Sequence, residues 1–79
     1  MQADELKKII EDGVPGAEAT VQGDGDHFEA AVVSPGFEGK SMVQQHQMVY
    51  GALGDLMQKE IHALALRTYT PEEWAKRIQ

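Results

Sequence analysis

A turn-forming cluster of four residues, Gly23-Asp24-Gly25-Asp26, restricts the fold of this chain more than any other feature of the sequence. Glycine adopts the positive φ angles that tight turns need, and aspartate side chains bond to the backbone of the turn. Residues 17–22 before the cluster alternate between apolar and polar side chains, and residues 27–33 after it have the composition of a strand. The cluster therefore predicts a β-hairpin around this turn.

A long helical segment follows the hairpin, from Ser41 to about Lys59. Ser41 and Gln44 have the spacing of a capping box, which predicts a helix that begins just after Ser41. Gly51 and Gly54 have low helix propensity and predict a break near there, or two short helices. The apolar stripe expected to face the core consists of Met42, Val49, Leu53 and Leu56, with His46 packed beside them.

The remaining segments complete a mixed α+β pattern. Residues 3–12 place apolar side chains at helical spacing, and residues 61–69 have the composition of a third strand. Thr70-Pro71-Glu72-Glu73 matches the start of a last helix, for which Trp74 and Ile78 are the expected anchors. The predicted order is helix, strand, strand, broken helix, strand, helix, written αββααβα.

This order determines the topology of a three-stranded mixed sheet. The first two strands pair antiparallel through the short turn. The second and third are joined through a helix, so a right-handed crossover makes them parallel. The helices are expected to cover one face of the sheet. A chain of 79 residues accommodates one such domain, spanning residues 1–79.

Composition and charge exclude several classes of function. The chain has no cysteine, so it forms neither a disulfide nor a metal site built on its own thiolates. Its net charge of −6, from 7 basic and 13 acidic residues, opposes strong nucleic-acid binding. No apolar run is long enough to span a membrane, and the acidic N-terminus lacks the features of a targeting segment. We therefore expect a cytoplasmic protein that does not bind membranes, and no catalytic constellation suggests an enzyme.

Two histidines are placed where a metal site can form. His27 opens the second strand and His62 lies at the beginning of the third, so parallel pairing puts both at one edge of the sheet. Adjacent strands lie about 4.8 Å apart, close enough for two imidazoles to reach one metal centre. Two histidines do not complete a zinc site, but they can ligate one iron of a [2Fe–2S] cluster when sulfur atoms ligate the other. Those sulfur atoms would have to come from a partner.

Two alternatives to this metal site stay open. A histidine at a strand end is commonly a partly exposed residue that hydrogen-bonds to backbone. The other alternative is nucleic-acid binding by the loop 36–40, a G-x-x-G sequence before a helix, similar to the loop with which KH domains hold a nucleic-acid backbone. This loop is expected at the end of the sheet opposite the histidines. The residues expected to contact nucleic acid are Gly36, Gly39, Lys40, Arg67, Lys76 and Arg77.

Three stretches of the sequence together resemble one known family. Residues 37–50, F-E-G-K-S-M-V-Q-Q-H-Q-M-V-Y, are similar to the BolA family signature F-x-G-K…R-H-x-x-V-Y. Ile61-His62-Ala63-Leu64, followed by residues 69–74, is similar to the family segment H-A-L…T-x-x-E-W. Residues 23–28 resemble the short bacterial IbaG branch of the family in particular. The resemblance covers nearly the whole chain.

The resemblance implies a class II KH-like fold and a shared metal cofactor. It implies a heterodimer with a monothiol glutaredoxin that carries a C-G-F-S motif, in which the two proteins hold a [2Fe–2S] cluster. The ligands implied are a glutaredoxin cysteine, the cysteine of glutathione, and histidine from the BolA side. The near-invariant C-terminal histidine of the family corresponds to His62, and the variable ligand before strand two corresponds to His27. No cluster is expected in the isolated chain.

One position departs from the family pattern. Arginine often precedes the helix histidine of the family, which corresponds to His46 and is not normally a main ligand, whereas this chain has Gln45. The change predicts a loss of positive charge from the face proposed for nucleic-acid contact. It therefore weakens the alternative function, a stress-responsive transcriptional regulator with a KH-like nucleic-acid site.

Overall fold

The helices and strands follow the predicted αββααβα order in the computed structural model, which describes residues 1–77. Ile78, predicted to anchor the last helix, lies outside the described residues. Within residues 1–77, every helix is too short or too polar to cross a lipid bilayer. The elements are α1 (Ala3–Gly13), β1 (Glu18–Gly23), β2 (His27–Val33), a 3₁₀ turn (Pro35–Phe37), α2 (Met42–Leu53), α3 (Leu56–Lys59), β3 (Ala63–Tyr69) and α4 (Pro71–Arg77).

The three strands form one mixed sheet in the order β1-β2-β3. β1 and β2 pair antiparallel across the turn, and β2 and β3 pair parallel with His27 opposite Ala63. The predicted topology is confirmed. Because β2 and β3 are parallel neighbours, their N-terminal ends meet at the same edge of the sheet, and this edge carries the candidate site.

Helices α1 and α2 cover one face of the sheet. Alternate residues of β2 point toward these helices and are buried, whereas Glu29 between them is exposed. Helix α4 does not belong to the layer formed by α1 and α2. Its Trp74 packs against Tyr69 of β3, with 5.2 Å between the ring centres. The other face of the sheet therefore stays open along most of its length. The buried core consists of Leu6, Ile10, Val14, Ala19, Phe28, Ala30, Val32, Phe37, Val49, Leu53 and Ile61.

Side-chain caps start two helices where the sequence predicts them. Ser41 Oγ accepts a hydrogen bond from the Gln44 N–H, and Gln44 Oε1 accepts one from the Ser41 N–H. Thr70 and Glu73 exchange the same pair of bonds before α4. Each box satisfies backbone N–H groups that a helix start leaves without a partner. At its other end α2 stops at Gly54, whose φ of 58° favours glycine, so the predicted break is confirmed.

The buried face of α2 differs from the predicted stripe. Gln45, Val49 and Leu53 are buried at helical spacing, whereas Met42 is 68% exposed. The prediction that Met42 faces the core was wrong, because the buried face of the first turn belongs to the polar Gln45. Hydrogen bonds to the loop before the helix and to β3 make this burial favourable.

Candidate functional site

The turn between β1 and β2 holds the backbone of His27. The Asp24 carboxylate oxygen Oδ1 accepts from the N–H groups of Asp26 (3.0 Å) and His27 (2.9 Å), and the Asp24 N–H donates to the His27 carbonyl (3.2 Å). The bond from the His27 N–H and then that from Asp26 lower the pKa of Asp24 below its ordinary value, so this carboxylate is ionised at neutral pH. Gly25 between them has a φ of 106°, a conformation that favours glycine.

The same turn also holds the segment that carries His62. The carbonyl oxygen of Asp26 accepts from the N–H groups of His62 (3.0 Å) and Ala63 (3.1 Å). His62 therefore lies immediately before β3, next to the residue that pairs with His27. One short turn therefore binds both segments that carry the histidines.

The imidazole rings of His27 and His62 lie side by side. Their centres are 5.1 Å apart and their planes are inclined by 82°. When two histidine nitrogens bind one tetrahedral metal at about 2.0–2.1 Å, with each ring centre roughly 1 Å further out, the ring centres stand about 5 Å apart. The observed separation thus suits two ligands of one metal. The predicted proximity of the two histidines is confirmed.

The histidine pair lacks the further ligands of a complete metal site. Within residues 1–77, no group of three or more histidine, cysteine, aspartate or glutamate side chains could hold a metal ion. The side chain of His27 is 62% exposed, and His62 is exposed as well. A second molecule can therefore approach both rings from outside and bring the missing ligands.

The G-x-x-G loop lies at the opposite end of the sheet, after the last residue of β2. Phe37 within it is fully buried, and Glu38 adds a negative charge to the loop, which opposes the binding of a phosphate. Most of the N–H groups that could bind a phosphate already donate within the chain. Those with internal acceptors belong to Gly36, Phe37, Glu38, Lys40 and Ser41. This geometry makes the loop a poor phosphate clamp.

Gln45 holds the loop from inside the protein. Its side-chain amide donates to the carbonyl oxygens of Phe37 (3.2 Å) and Lys40 (3.0 Å), and its oxygen accepts from the Thr68 hydroxyl (2.7 Å). Only 8% of Gln45 is exposed. In this chain residue 45 therefore points into the protein, and the predicted loss of positive charge from the nucleic-acid face stays a prediction. The polar atoms of Gln45 tolerate burial because they have hydrogen-bond partners.

The basic residues named for nucleic-acid contact are spread over several elements. Arg67 of β3 and Arg77 of α4 line one depression on the open face. Arg77 also stacks over the Trp74 ring, 4.7 Å from the ring centre. Lys76 pairs with Glu72 on its own helix (2.9 Å), and Lys40 is not among the residues that line the depression.

His46 lies apart from the histidine pair, on α2. It is half-buried and lines a shallow groove with Met42 and Leu66. Its predicted packing is therefore only partial, because the neighbouring Met42 is itself exposed.

Comparison with known proteins connects this arrangement to a family. The family model described as BolA-like protein matches residues 6–73. The chain belongs to the BolA-like family. It is 36% identical to acid stress protein IbaG of Escherichia coli K12 over 77 residues, which cover 96% of this chain and 92% of that protein. The resemblance to the BolA family, and to its IbaG branch, is confirmed.

Solved structures of BolA-like proteins share this fold. The structure of a bolA protein homologue from Coxiella burnetii has 45% sequence identity and a TM-score of 0.87, and the match covers 95% of this chain and 97% of that one. The predicted BolA-like α+β fold is therefore confirmed.

A further relative by sequence is the DNA-binding transcriptional regulator BolA of Haemophilus influenzae. It is 43% identical over 53 residues, which cover 67% of this chain and 52% of that protein.

Proposed function

We propose that this BolA-like chain is a binding module that lends His27 and His62 to a [2Fe–2S] cluster shared with a monothiol glutaredoxin and its glutathione. The observation that carries the proposal is the exposed ring pair, with 5.1 Å between the ring centres and no third ligand group within residues 1–77. The chain contains no thiol, so the sulfur ligands have to come from the partner. The isolated chain is expected to hold no cluster.

Family membership supports the choice of partner. The likeness to the BolA family implies a glutaredoxin with a C-G-F-S motif, whose cysteine and bound glutathione each supply one thiolate. With the imidazoles of His27 and His62, these thiolates give two ligands to each iron, an arrangement that iron–sulfur proteins use. The four ligands thus divide evenly between the two sides of the heterodimer.

Histidine ligation gives a cluster chemistry that four cysteines do not. When bound, the cluster supplies one-electron redox chemistry, and neutral imidazoles on one iron raise its potential relative to thiolates. The open position of His27 and His62 also allows a partner to approach and leave. These properties suit the assembly, trafficking or sensing of iron–sulfur clusters, with no catalytic step by this chain.

The proposal is tested by mixing the chain with a C-G-F-S glutaredoxin, glutathione, ferrous iron and sulfide without oxygen. We expect a heterodimer whose visible absorption and circular dichroism differ from those of glutaredoxin with glutathione alone, because imidazoles replace thiolates on one iron. The chain with iron and sulfide but no glutaredoxin is the control, and it should retain no cluster. If the chain elutes separately from glutaredoxin and leaves the spectrum unchanged, the proposed function is wrong.

A nucleic-acid-binding regulator is the competing function, and one observation favours it. Arg67 and Arg77 share the depression on the open face with Tyr69 and Trp74, and cations beside aromatic rings can bind stacked bases. The Haemophilus relative is named as a DNA-binding regulator. The net charge of −6 and the internally bonded G-x-x-G loop oppose this function in the present chain.

An electrophoretic shift assay separates the two functions. At physiological salt and micromolar protein we expect no shift of DNA or RNA by this chain, because its net charge of −6 repels phosphate. A shift that weakens with added salt and in an Arg67→Gln or Lys40→Gln variant would instead favour the regulator.

A further inference from the structure

We propose that Asp24 is a positioning residue for His27. Its carboxylate accepts a hydrogen bond from the Nδ1–H of the His27 imidazole, so that Nε2 is the atom left to bind the metal. This inference rests on the function proposed above and deepens it, since it names the group that selects the ligand atom. Oδ2 of Asp24 lies 3.9 Å from Nδ1 of His27. This distance is longer than a hydrogen bond, so the proposed bond requires the exposed His27 ring to turn toward the carboxylate.

The Asp24 carboxylate is bound at one oxygen and open at the other. Oδ1 accepts the N–H groups of Asp26 and His27, and these bonds orient the whole carboxylate. The Asp24 N–H in turn donates to the His27 carbonyl, so the two residues are joined through their backbones as well. Oδ2 therefore lies on the Nδ1 side of the His27 ring, while Oδ1 is occupied by the backbone of the turn.

The chemistry of imidazole turns this placement into a selection of the ligand atom. A neutral imidazole has one N–H and one lone pair, so the nitrogen that donates a hydrogen bond cannot bind a metal. Histidine ligands usually donate their second ring N–H to a carboxylate or carbonyl, which fixes the tautomer and strengthens the ligand. Among the ion pairs within residues 1–77, a carboxylate faces a histidine ring only at His27. Asp24 is therefore expected to act on His27 and not on His62.

An Asp24→Asn variant tests the role without disturbing the turn. The asparagine side chain keeps an oxygen for the two backbone N–H groups. It replaces Oδ2 with an amide nitrogen, which cannot accept a hydrogen bond from the Nδ1–H of His27. Asp26→Asn is the matched control. It removes the same charge from the same turn, and the contacts that Asp26 makes there use its backbone.

The first readout uses the free chain and needs no cluster. Nitrogen-15 NMR of the histidine rings, at a pH where both are neutral, reports which nitrogen carries the proton. We expect the Nδ1–H form to dominate at His27 in the unchanged chain and the Nε2–H form to dominate in Asp24→Asn. His62 should be unaffected, and Asp26→Asn should resemble the unchanged chain. An identical His27 tautomer in all three proteins would overturn the inference.

The second readout uses the heterodimer loaded with the cluster. Loss of a partner that orients a ligand typically weakens metal binding about 10- to 100-fold, so we expect Asp24→Asn to lose its cluster to a chelator at least roughly tenfold faster. Asp26→Asn should lose it at the rate of the unchanged chain. If the unchanged chain assembles no histidine-ligated cluster, the proposed function fails. If the cluster assembles but both variants lose it equally fast, only the positioning role of Asp24 is wrong.

Discussion

Replacing both His27 and His62 with alanine should reduce cluster assembly to the level of glutaredoxin and glutathione without this chain. The double change removes both ligands of one iron, and a [2Fe–2S] cluster needs ligands on both irons. The fold should survive, because both side chains are exposed and both histidines are held through their own backbone groups. Visible circular dichroism of the reconstituted mixture measures the loss, and size-exclusion chromatography measures heterodimer formation.

Single substitutions and a third histidine provide the controls. His62→Ala and His27→Ala should each change the visible spectrum, since each leaves one imidazole on the iron. His46→Ala removes a histidine that lies on α2, away from the pair, and should leave both spectrum and yield unchanged. A double variant that assembles the cluster with an unaltered spectrum would show that neither imidazole is a ligand.

Phe37→Ala should remove a large part of the stability of the domain. Phe37 is fully buried and belongs to the main core, although it lies inside the G-x-x-G loop. Deleting a buried phenylalanine ring costs about 3–5 kcal/mol of unfolding free energy, through lost burial and the cavity left behind. Because small domains are stable by only about 5–15 kcal/mol, this loss should move the urea midpoint far toward zero. Urea titration followed by far-ultraviolet circular dichroism measures it.

A matched substitution on the surface distinguishes the role of Phe37 in the core from the general effect of losing an apolar side chain. Met42→Ala removes an apolar side chain that is 68% exposed, close to the same loop, and should change the unfolding free energy by no more than about 0.5 kcal/mol. Equal effects of the two substitutions would mean that Phe37 does not anchor the loop to the core. A large difference supports a loop that serves the fold rather than a mobile phosphate clamp.

Local patterns in the sequence were enough to predict the order and pairing of the elements. The turn cluster at residues 23–26, the capping residues Ser41 and Thr70, and the glycine break after α2 each act within a few residues, and each lies where it was predicted. Parallel pairing of β2 and β3 then followed from chain connectivity. Burial of Gln45 did not follow, because it depends on carbonyl groups of the loop and a hydroxyl on β3.

The candidate site was predictable in outline but not in detail. The proximity of His27 and His62 followed from strand topology, since His27 opens β2 and His62 lies immediately before β3, its parallel neighbour. The contact between Asp24 and His27 was not predicted, because turn aspartates are common for structural reasons and only the coordinates show which oxygen is left open. The spacing of three residues between Asp24 and His27, across a glycine turn, is the one signal that could have indicated it.

Pulsed electron paramagnetic resonance of the reduced heterodimer tests most directly whether both imidazoles of this chain bind one iron. The chain is labelled with nitrogen-15 histidine, and the glutaredoxin is left unlabelled. We expect two strong nitrogen-15 couplings from directly bound ring nitrogens, one absent in His27→Ala and the other absent in His62→Ala. A spectrum without nitrogen-15 coupling, or with couplings that persist in both variants, would contradict ligation by this histidine pair.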